Sequence, residues 1–501
     1  MSSLKVVHIS RASARQRAGR AGRVRPGHCW RLYSAEFLSS DRIQDYTAAE
    51  ILRVPLEEVV LQVLLLKLGL PDEFLVQCLE PPSISQVRTS VASLLDIKAI
   101  LPKANLPLTA LGYHLAQMPV DIRIGKMLIT ASLLNCIEPA LTVAAALAGK
   151  SPFTSPPDKN RKMDAARAHL SFTSSFNYAI TAAKYSILLP EGMQKRADTR
   201  FKEDLTPPND VFFSDHLASV NAYNLWQQIL MKKGNEAAYT FCRENYLSHP
   251  TFNDIMKLRE NFRQYLRSTG FLPQIASQVD DRDNDGDFDP DESGLLIAPK
   301  AAEFLSLTET VGSNYGLMRC ALCAGLFPQV VRASKFDNVK KKRVKGTKNS
   351  SIGPPKIMQG DGVEVFVHPG SLTHSSVKYL LEGGQGSGQG QRFGRGKDAF
   401  IVYHKKVASD RVYLHDCTLV PAAAILLFGG DLHISRVRKG SFETVTIGSW
   451  IHFKMSELHA VLFRRLQTEM ESMLRIKVED PITDITKRQA VLVRVIEMLL
   501  E

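Results

Sequence analysis

Residues 13–29 read SARQRAGRAGRVRPGHC and place Arg15, Arg17, Arg20, Arg23 and Arg25 in a short span without an acidic residue. A guanidinium stays charged and carries a planar fork of donors, so it suits phosphate oxygens. Arg17, Arg20 and Arg23 recur at intervals of three, which predicts neighbouring turns of one helix face. Gly19 and Gly22 lie between them and allow a facing surface to come close. On charge alone the segment reads as a solvated or phosphate-binding surface.

A second set of residues lies far downstream. Tyr403, His404, Lys405, Lys406, Arg411 and Tyr413 interleave charge and aromatic rings on adjacent expected strands, with His368 and Ser371 nearby in VHPGS. Cations follow a sugar–phosphate backbone and rings stack on bases, which is how small β-barrels hold single strands. The competing reading is a solvated barrel face.

A third pattern is acidic. DRDNDGDFDPDE (281–292) places Asp281, Asp283, Asp285, Asp289 and Glu292 at the ligand positions of a calcium loop, with Gly286 at its turn. No second loop exists to pair with it, and Pro290 stands where an exiting helix should begin. The favoured reading is an acidic surface loop, with calcium bound no tighter than roughly millimolar. Two further motifs read as structure. Cys320 and Cys323 share one face of the apolar run GLMRCALCAGLF and are expected in a core. Gly149-Lys150-Ser151 has Ala144 where a phosphate-cradling loop needs its first Gly, and is expected to end a helix.

The elements that carry these residues follow from the bulk sequence. A chain of 501 residues exceeds one ordinary core, and 44% hydrophobic with 23% charged residues describes folded domains. The net charge of +12 points to an anionic partner. It is concentrated in two zones: residues 1–31 hold eight Lys/Arg and no acid, and 326–400 hold 13 basic and 5 acidic residues. No apolar run approaches the ~18 residues of a membrane helix. No signal pattern is seen and the seven cysteines are scattered, so an intracellular protein with reduced thiols is expected, in cytoplasm or nucleus. KKKRVK (340–345) is similar to a nuclear localisation run, although a solvated or RNA-touching loop is favoured.

Along the chain, LKVVHIS and HCWRLYS read as strands flanking a helix around the arginines. LEEVVLQVLLLKLGL and PPSISQVRTSVASLLDIKAI read as two helices, followed by a short wing and another helix. Residues 113–325 read as mostly helical. After Pro328, VEVFVHPGSL, AFIVYHKKV, RVYLHDCTLV, AAILLFGG and ETVTIGSWIHF read as strands of a small barrel, with 383–396 a mobile loop and two closing helices beyond.

Gln16-Arg17-Ala-Gly19-Arg20-Ala-Gly22-Arg23 resembles motif VI of superfamily 2 helicases, in the form of the DEAH/RNA helicase A family. EILRVPLEEVVLQVLLLKLG, LTALGYHLAQMPVDIRIGKMLI, SDHLASVNAYNLW, LCAGLFPQVVR, VFVHPGSL and LLFGGDL are similar to further family segments, in family order, over about residues 5–460. The resemblance implies a multidomain α+β chain. It would hold the end of a second RecA-like α/β lobe (1–44), a winged helix (45–112) and a helical ratchet domain (113–325) with an acidic insertion (280–294). An OB-fold β-barrel (326–460) and C-terminal helices (461–501) would follow. It further implies that Gln16, Arg20 and Arg23 face ATP phosphates, with Arg20 and Arg23 catalytic, and that Arg17 anchors the motif to its own lobe. His368, Ser371, Tyr403, Lys405, Lys406 and Arg411 would contact RNA, mainly single-stranded and through its backbone. ATP and Mg²⁺ would serve the complete enzyme, but no P-loop or DExH tetrapeptide occurs here. The chain is therefore expected to be the C-terminal RNA-binding, ATP-sensing half of a 3′-to-5′ RNA helicase, needing N-terminal lobes and inactive alone. The alternatives are a non-hydrolysing RNA-binding or adaptor protein and, further off, a calcium-responsive module.

Overall fold

A computed structural model describes residues 2–3, 8–40, 42–118, 120–154, 214–272, 315–334, 356–360, 362–374, 398–436, 443–448 and 450–500. The chain divides into two compact units, residues 1–112 with 407–409, and 113–406 with 410–501. The acidic pattern at 281–292, the basic run 340–345 and the glycine-rich stretch 383–396 lie outside the described residues.

In the first unit, helix α1 (Arg11–Ala18) starts at Ser10, whose Oγ accepts from Ser13 N at 3.1 Å, and is capped by Gly19. α2 (Ala35–Ser39) is one short turn. HCWRLYS, expected as a strand, takes no strand structure, and Trp30 and Leu32 are 87% and 99% exposed. A strand forms only where a neighbour completes its hydrogen-bond ladder, and among the described residues none pairs with this one. Helices α3 (Glu57–Leu65), α4 (Pro71–Leu75) and α5 (Ile84–Asp96) pack on one another through Val60, Leu61, Leu75, Val87 and Leu94. Their ends follow the sequence: Pro71 opens α4, and Ser83 with Gln86 forms a reciprocal capping box on α5. A single antiparallel bridge, Ile100 to Leu108, precedes α6 (Ala110–Gln117).

The second unit is built on helices and sheet. α7 (Ile122–Leu133) and α8 (Ile137–Ala148) pack with α9 (Asp215–Glu244), α10 (His249–Ser268) and α11 (Tyr315–Leu326). Cys320 and Cys323 are fully buried in α11, as expected of core residues, and burial pushes both thiol pKa values up, Cys320 to about 12. α8 ends at Gly149, so Gly149-Lys150-Ser151 closes a helix. Glu138 on α8 accepts from Arg259 at 2.7 Å and Arg263 at 2.8 Å on α10, and Arg259 also lies over the Tyr223 ring at 4.7 Å.

Strands β1 (Val330–Ser334), β2 (Lys356–Met358), β3 (Phe366–Val367), β4 (Asp398–Ala408) and β5 (Val412–Val420) form a sheet in the order β2-β1-β4-β5-β3. β3 runs parallel to β5, pairing Phe366 with Tyr413. The sheet closes over Val331, Ile357, Val365, Val367, Ile401, Tyr403, Leu414 and Leu419. AAILLFGG, expected as a strand, is helix α12 (Ala422–Phe428), begun by Pro421 and ended by Gly429. A short apolar run fits either structure, and here the flanking Pro and Gly are helix punctuation. Strands β6 (Leu432–Arg436), β7 (Glu443–Ile447) and β8 (Ile451–Met455) make a separate antiparallel sheet, followed by α13 (Glu457–Glu479) and α14 (Thr486–Leu500). Among the described residues no helix is long and apolar enough to cross a membrane.

Candidate nucleic-acid interface

The arginine segment departs from a continuous helix. α1 stops at Gly19, and Arg20 and Ala21 continue as a turn, their amides donating to Arg17 O and Ala18 O at 3.1 Å. Gly22 then takes φ +87°, the left-handed region that glycine enters without strain, and turns the chain at Arg23. Gln16 and Arg17 therefore lie on a helix, and Arg20 and Arg23 on the turn beyond it. All four are exposed. An anchoring residue ahead of the motif is Arg11. Its guanidinium donates to Leu38 O at 2.8 Å, to Ser39 O and Ser40 O at 3.0 Å, and to Asp45 at 2.7 Å. Arg11 precedes the repeating unit, so spacing gave no sign of it. What results is a row of exposed cations fixed at one end, a surface that can meet a polyphosphate.

The candidates of the second unit separate by burial. Tyr403 is 3% exposed and belongs to the core of the sheet, so its ring is closed to a base. Ser371 is 7% exposed, and its Oγ donates to Asp215 Oδ2 at 2.6 Å. Asp215 also accepts from Leu372 N and Cys417 N, both at 2.9 Å. Beside it, Ser214 Oγ and Thr418 Oγ1 lie 2.6 Å apart, and His216 Nδ1 lies 2.7 Å from the same Thr418 oxygen. The first turn of α9 is thereby bonded to the loop after β3 and to the middle of β5. Ser371 is a structural residue of this node, which is why it failed as a surface contact. Asp215 and Thr418 went unremarked because nothing in the sequence joins residues about two hundred positions apart.

The remaining candidates reach the surface. Lys405 is exposed and lines a cavity of about 60 Å³ with Gly149, Ser151, Asp215, His216 and Asp416. Lys406 is half-buried and donates to Gln359 Oε1. His404 points a buried Nδ1 without a hydrogen-bond partner, and burial lowers its pKa to about 4, so the ring is neutral near pH 7. Arg411 is exposed and sits over the Phe366 ring at 5.0 Å. His368 is half-buried and lies against Tyr413 and His415. Phe366 and His415 were missed, yet a signal existed: they recur with His368 and Tyr413 at intervals of two, opposite in phase to Val365, Val367 and Leu414. Among the described residues no cluster of three or more metal-ligating side chains occurs.

Comparison with known proteins agrees with this architecture. Residues 121–219 match the helicase associated domain (HA2), ratchet-like; 318–432 match the oligonucleotide/oligosaccharide-binding (OB)-fold; and 443–501 match the C-terminal domain in RNA helicases. The chain is 30% identical over 481 residues to the ATP-dependent DNA/RNA helicase DHX36 of Homo sapiens, covering 96% of this chain and 38% of that protein. It is 30% identical over 492 residues to the putative ATP-dependent RNA helicase DHX57 of Homo sapiens, covering 97% and 30%. With the ATP-dependent RNA helicase DHX29 of Homo sapiens the identity is 29% over 486 residues, covering 96% and 28%. The chain thus spans well under half the length of these relatives and corresponds to their C-terminal part. With its helical HA2 domain, its OB-fold and its helicase C-terminal domain in that order, the chain belongs to the DEAH-box/RNA helicase A type family, as the C-terminal portion of such a helicase.

Proposed function

We propose that the chain is the RNA-binding and ATP-sensing C-terminal half of an ATP-dependent RNA helicase that moves 3′ to 5′. The observation that carries this reading is the match over 96% of the chain to proteins named as ATP-dependent helicases, together with the exposed Gln16, Arg20 and Arg23. In the complete enzyme ATP, with Mg²⁺, would supply the phosphoryl transfer that drives movement. The described residues fit one part of that work: guanidiniums placed to stabilise charge on phosphate oxygens. Residues 1–44 act as the end of a RecA-like lobe, and 45–112 as a winged helix, for which α3 to α6 and the Ile100–Leu108 bridge supply the elements. Lys405, Lys406 and Arg411 meet the backbone of single-stranded RNA.

The chain alone is expected to show no RNA-stimulated ATP hydrolysis above a no-protein control, because its 501 residues contain no P-loop Lys and no DExH acid. Turnover by the chain alone that Arg23→Ala abolishes would overturn this. With P-loop-bearing lobes present, Arg23→Ala is expected to abolish hydrolysis and leave RNA binding intact. A second reading, an RNA-binding adaptor that never hydrolyses ATP, rests on the same missing motifs and predicts no turnover in either setting. Under both, affinity for single-stranded RNA falls steeply with salt, and Ala at Lys405, Lys406 and Arg411 weakens unrelated sequences alike.

A further inference from the structure

From Arg15 to Arg25 no residue of the arginine segment is buried. Among the described residues, its fixed end is the start of α1, where Ala14 is buried. Three sets of bonds meet there. The amides of Arg11 and Ala12 donate to Gln44 O and Asp45 O, both at 2.9 Å. Ser10 Oγ lies 3.1 Å from Thr47 Oγ1. The Arg11 guanidinium supplies the third set, with three bonds to the carbonyls of Leu38, Ser39 and Ser40 and one to Asp45. The last carbonyls of a helix have no partner within it, and α2 ends at Ser39. One side chain of α1 thus closes the end of α2 and grips the loop that follows. A planar fork of donors suits that task better than the point charge of a lysine.

The same loop continues into the helices beyond. Arg53 Nε donates to Ala48 O at 2.9 Å, Ala49 N to Glu80 Oε2 at 3.2 Å, and Gln86 Nε2 of α5 to Leu52 O at 3.4 Å. The arginine segment and α5 therefore share one hydrogen-bonded frame, with Arg11 at its near end. That end works as a lever. The helix rises about 10 Å from Arg11 to Ala18, so a tilt of about 10° at its start moves its far end by about 2 Å. Misplacing a group that meets a transition state by about 1 Å can cost about 100-fold in rate.

We propose that Arg11 is a positioning residue for phosphoryl transfer: without touching ATP, it seats α1 on the loop 38–47 and so holds Arg20 and Arg23 where the phosphates need them. The inference rests on the reading that Arg20 and Arg23 face ATP phosphates, and names the residue that decides where they stand.

The test is a double-mutant cycle on the whole chain, with inorganic tripolyphosphate as the probe and calorimetry as the measurement. Arg20→Ala with Arg23→Ala is expected to weaken binding by about ten-fold. Arg11→Met weakens the parent by about five-fold, but the Arg20→Ala/Arg23→Ala chain by under about two-fold, because nothing is left there to position. An equal loss in both backgrounds makes Arg11 an ordinary cation or a purely stabilising residue, and overturns the proposal. Thermal melting confirms the fold. Where Arg11→Met is unstable, Asp45→Asn replaces it. That variant removes a negative charge yet should weaken binding, and tighter binding overturns the proposal. With P-loop-bearing lobes present, Arg11→Met is expected to lower kcat by about ten-fold and leave affinity for single-stranded RNA unchanged. Arg11→Lys, which keeps the charge without the fork, restores only part; an unchanged kcat in Arg11→Met overturns the proposal and leaves the phosphate reading standing. Tripolyphosphate binding indifferent to Arg20→Ala with Arg23→Ala removes the phosphate reading itself, and the positioning role with it.

Discussion

The arginine segment and the Asp215 node are both dense in polar side chains, and they are opposites. Around Asp215, three donors converge on one carboxylate, and Ser214, His216 and Thr418 close a second set of bonds beside it, all within a few per cent of complete burial. On the arginine segment, Gln16, Arg17, Arg20 and Arg23 are exposed, and the helix is tied to its surroundings at its start, by four bonds of the Arg11 side chain and by the amides of Arg11 and Ala12 donating to Gln44 O and Asp45 O. Buried polar groups must satisfy each other, because unpaired they destabilise the fold. Exposed cations carry no such obligation, because water solvates them. Polar side chains therefore hold the fold at the node and meet solvent on the arginine segment, and burial sorts the two.

The largest effect that can break this comparison comes from Asp215. Asp215→Ala leaves three buried donors without their acceptor and is expected to destabilise the second unit by about 3–5 kcal/mol. Urea unfolding measures it, and a loss under ~1 kcal/mol would mean the node is not structural. Asp215→Asn should recover only part, since its amide turns donors toward donors.

Next in size is a pH dependence. His114 is 3% exposed, both ring nitrogens are buried without hydrogen-bond partners, and the ring meets Phe271 edge-on at 4.7 Å. Burial lowers its pKa from 6.5 to about 4. The unfolded chain thus takes up a proton that the folded chain refuses between these values. Stability is complete above about pH 6.5 and declines as pH falls toward 4, by about 2–3 kcal/mol. His404, lowered to about 4 by burial and then by nearby His216, adds to the same decline. Melting temperatures across this range should flatten in His114→Leu; an unchanged slope would assign the acid sensitivity to other groups.

Ser371→Ala sharpens the contrast at smaller scale. It removes one of the three donors to Asp215 and should lower stability by about 1 kcal/mol while leaving RNA affinity untouched. Weakened binding with unchanged stability would return Ser371 to the surface. The smallest effect is expected from Arg20→Ala with Arg23→Ala, within about 0.5 kcal/mol of the parent in stability. A larger loss would show that these arginines hold the fold.

Helices were legible wherever local chemistry fixed them. The apolar spacing of LEEVVLQVLLLKLGL and the Ser83–Gln86 box mark α3 and α5 without any knowledge of what packs on them. The strands were less so. AAILLFGG has no period that separates helix from strand, and HCWRLYS reads as a strand although nothing among the described residues pairs with it. Site residues failed where burial decided. Tyr403 and Lys405 sit two apart on β4, yet one is enclosed by the sheet and the other is exposed. The motif singled out Gln16, Arg20 and Arg23, which are exposed, while Arg11, whose role depends on carbonyls about thirty residues away, left no local trace.

The Asp215 node also imposes an order of events on synthesis. Its partners Ser371, Cys417 and Thr418 follow Asp215 and Ser214 by 156, 202 and 204 residues. At ordinary ribosomal speeds the carboxylate emerges roughly 10–40 s before the last of them. For that interval the carboxylate at the start of α9 lacks its protein donors and must keep its water. A nascent chain halted before Ser371 therefore leaves the Asp215 carboxylate without any of the three donors that satisfy it in the finished fold.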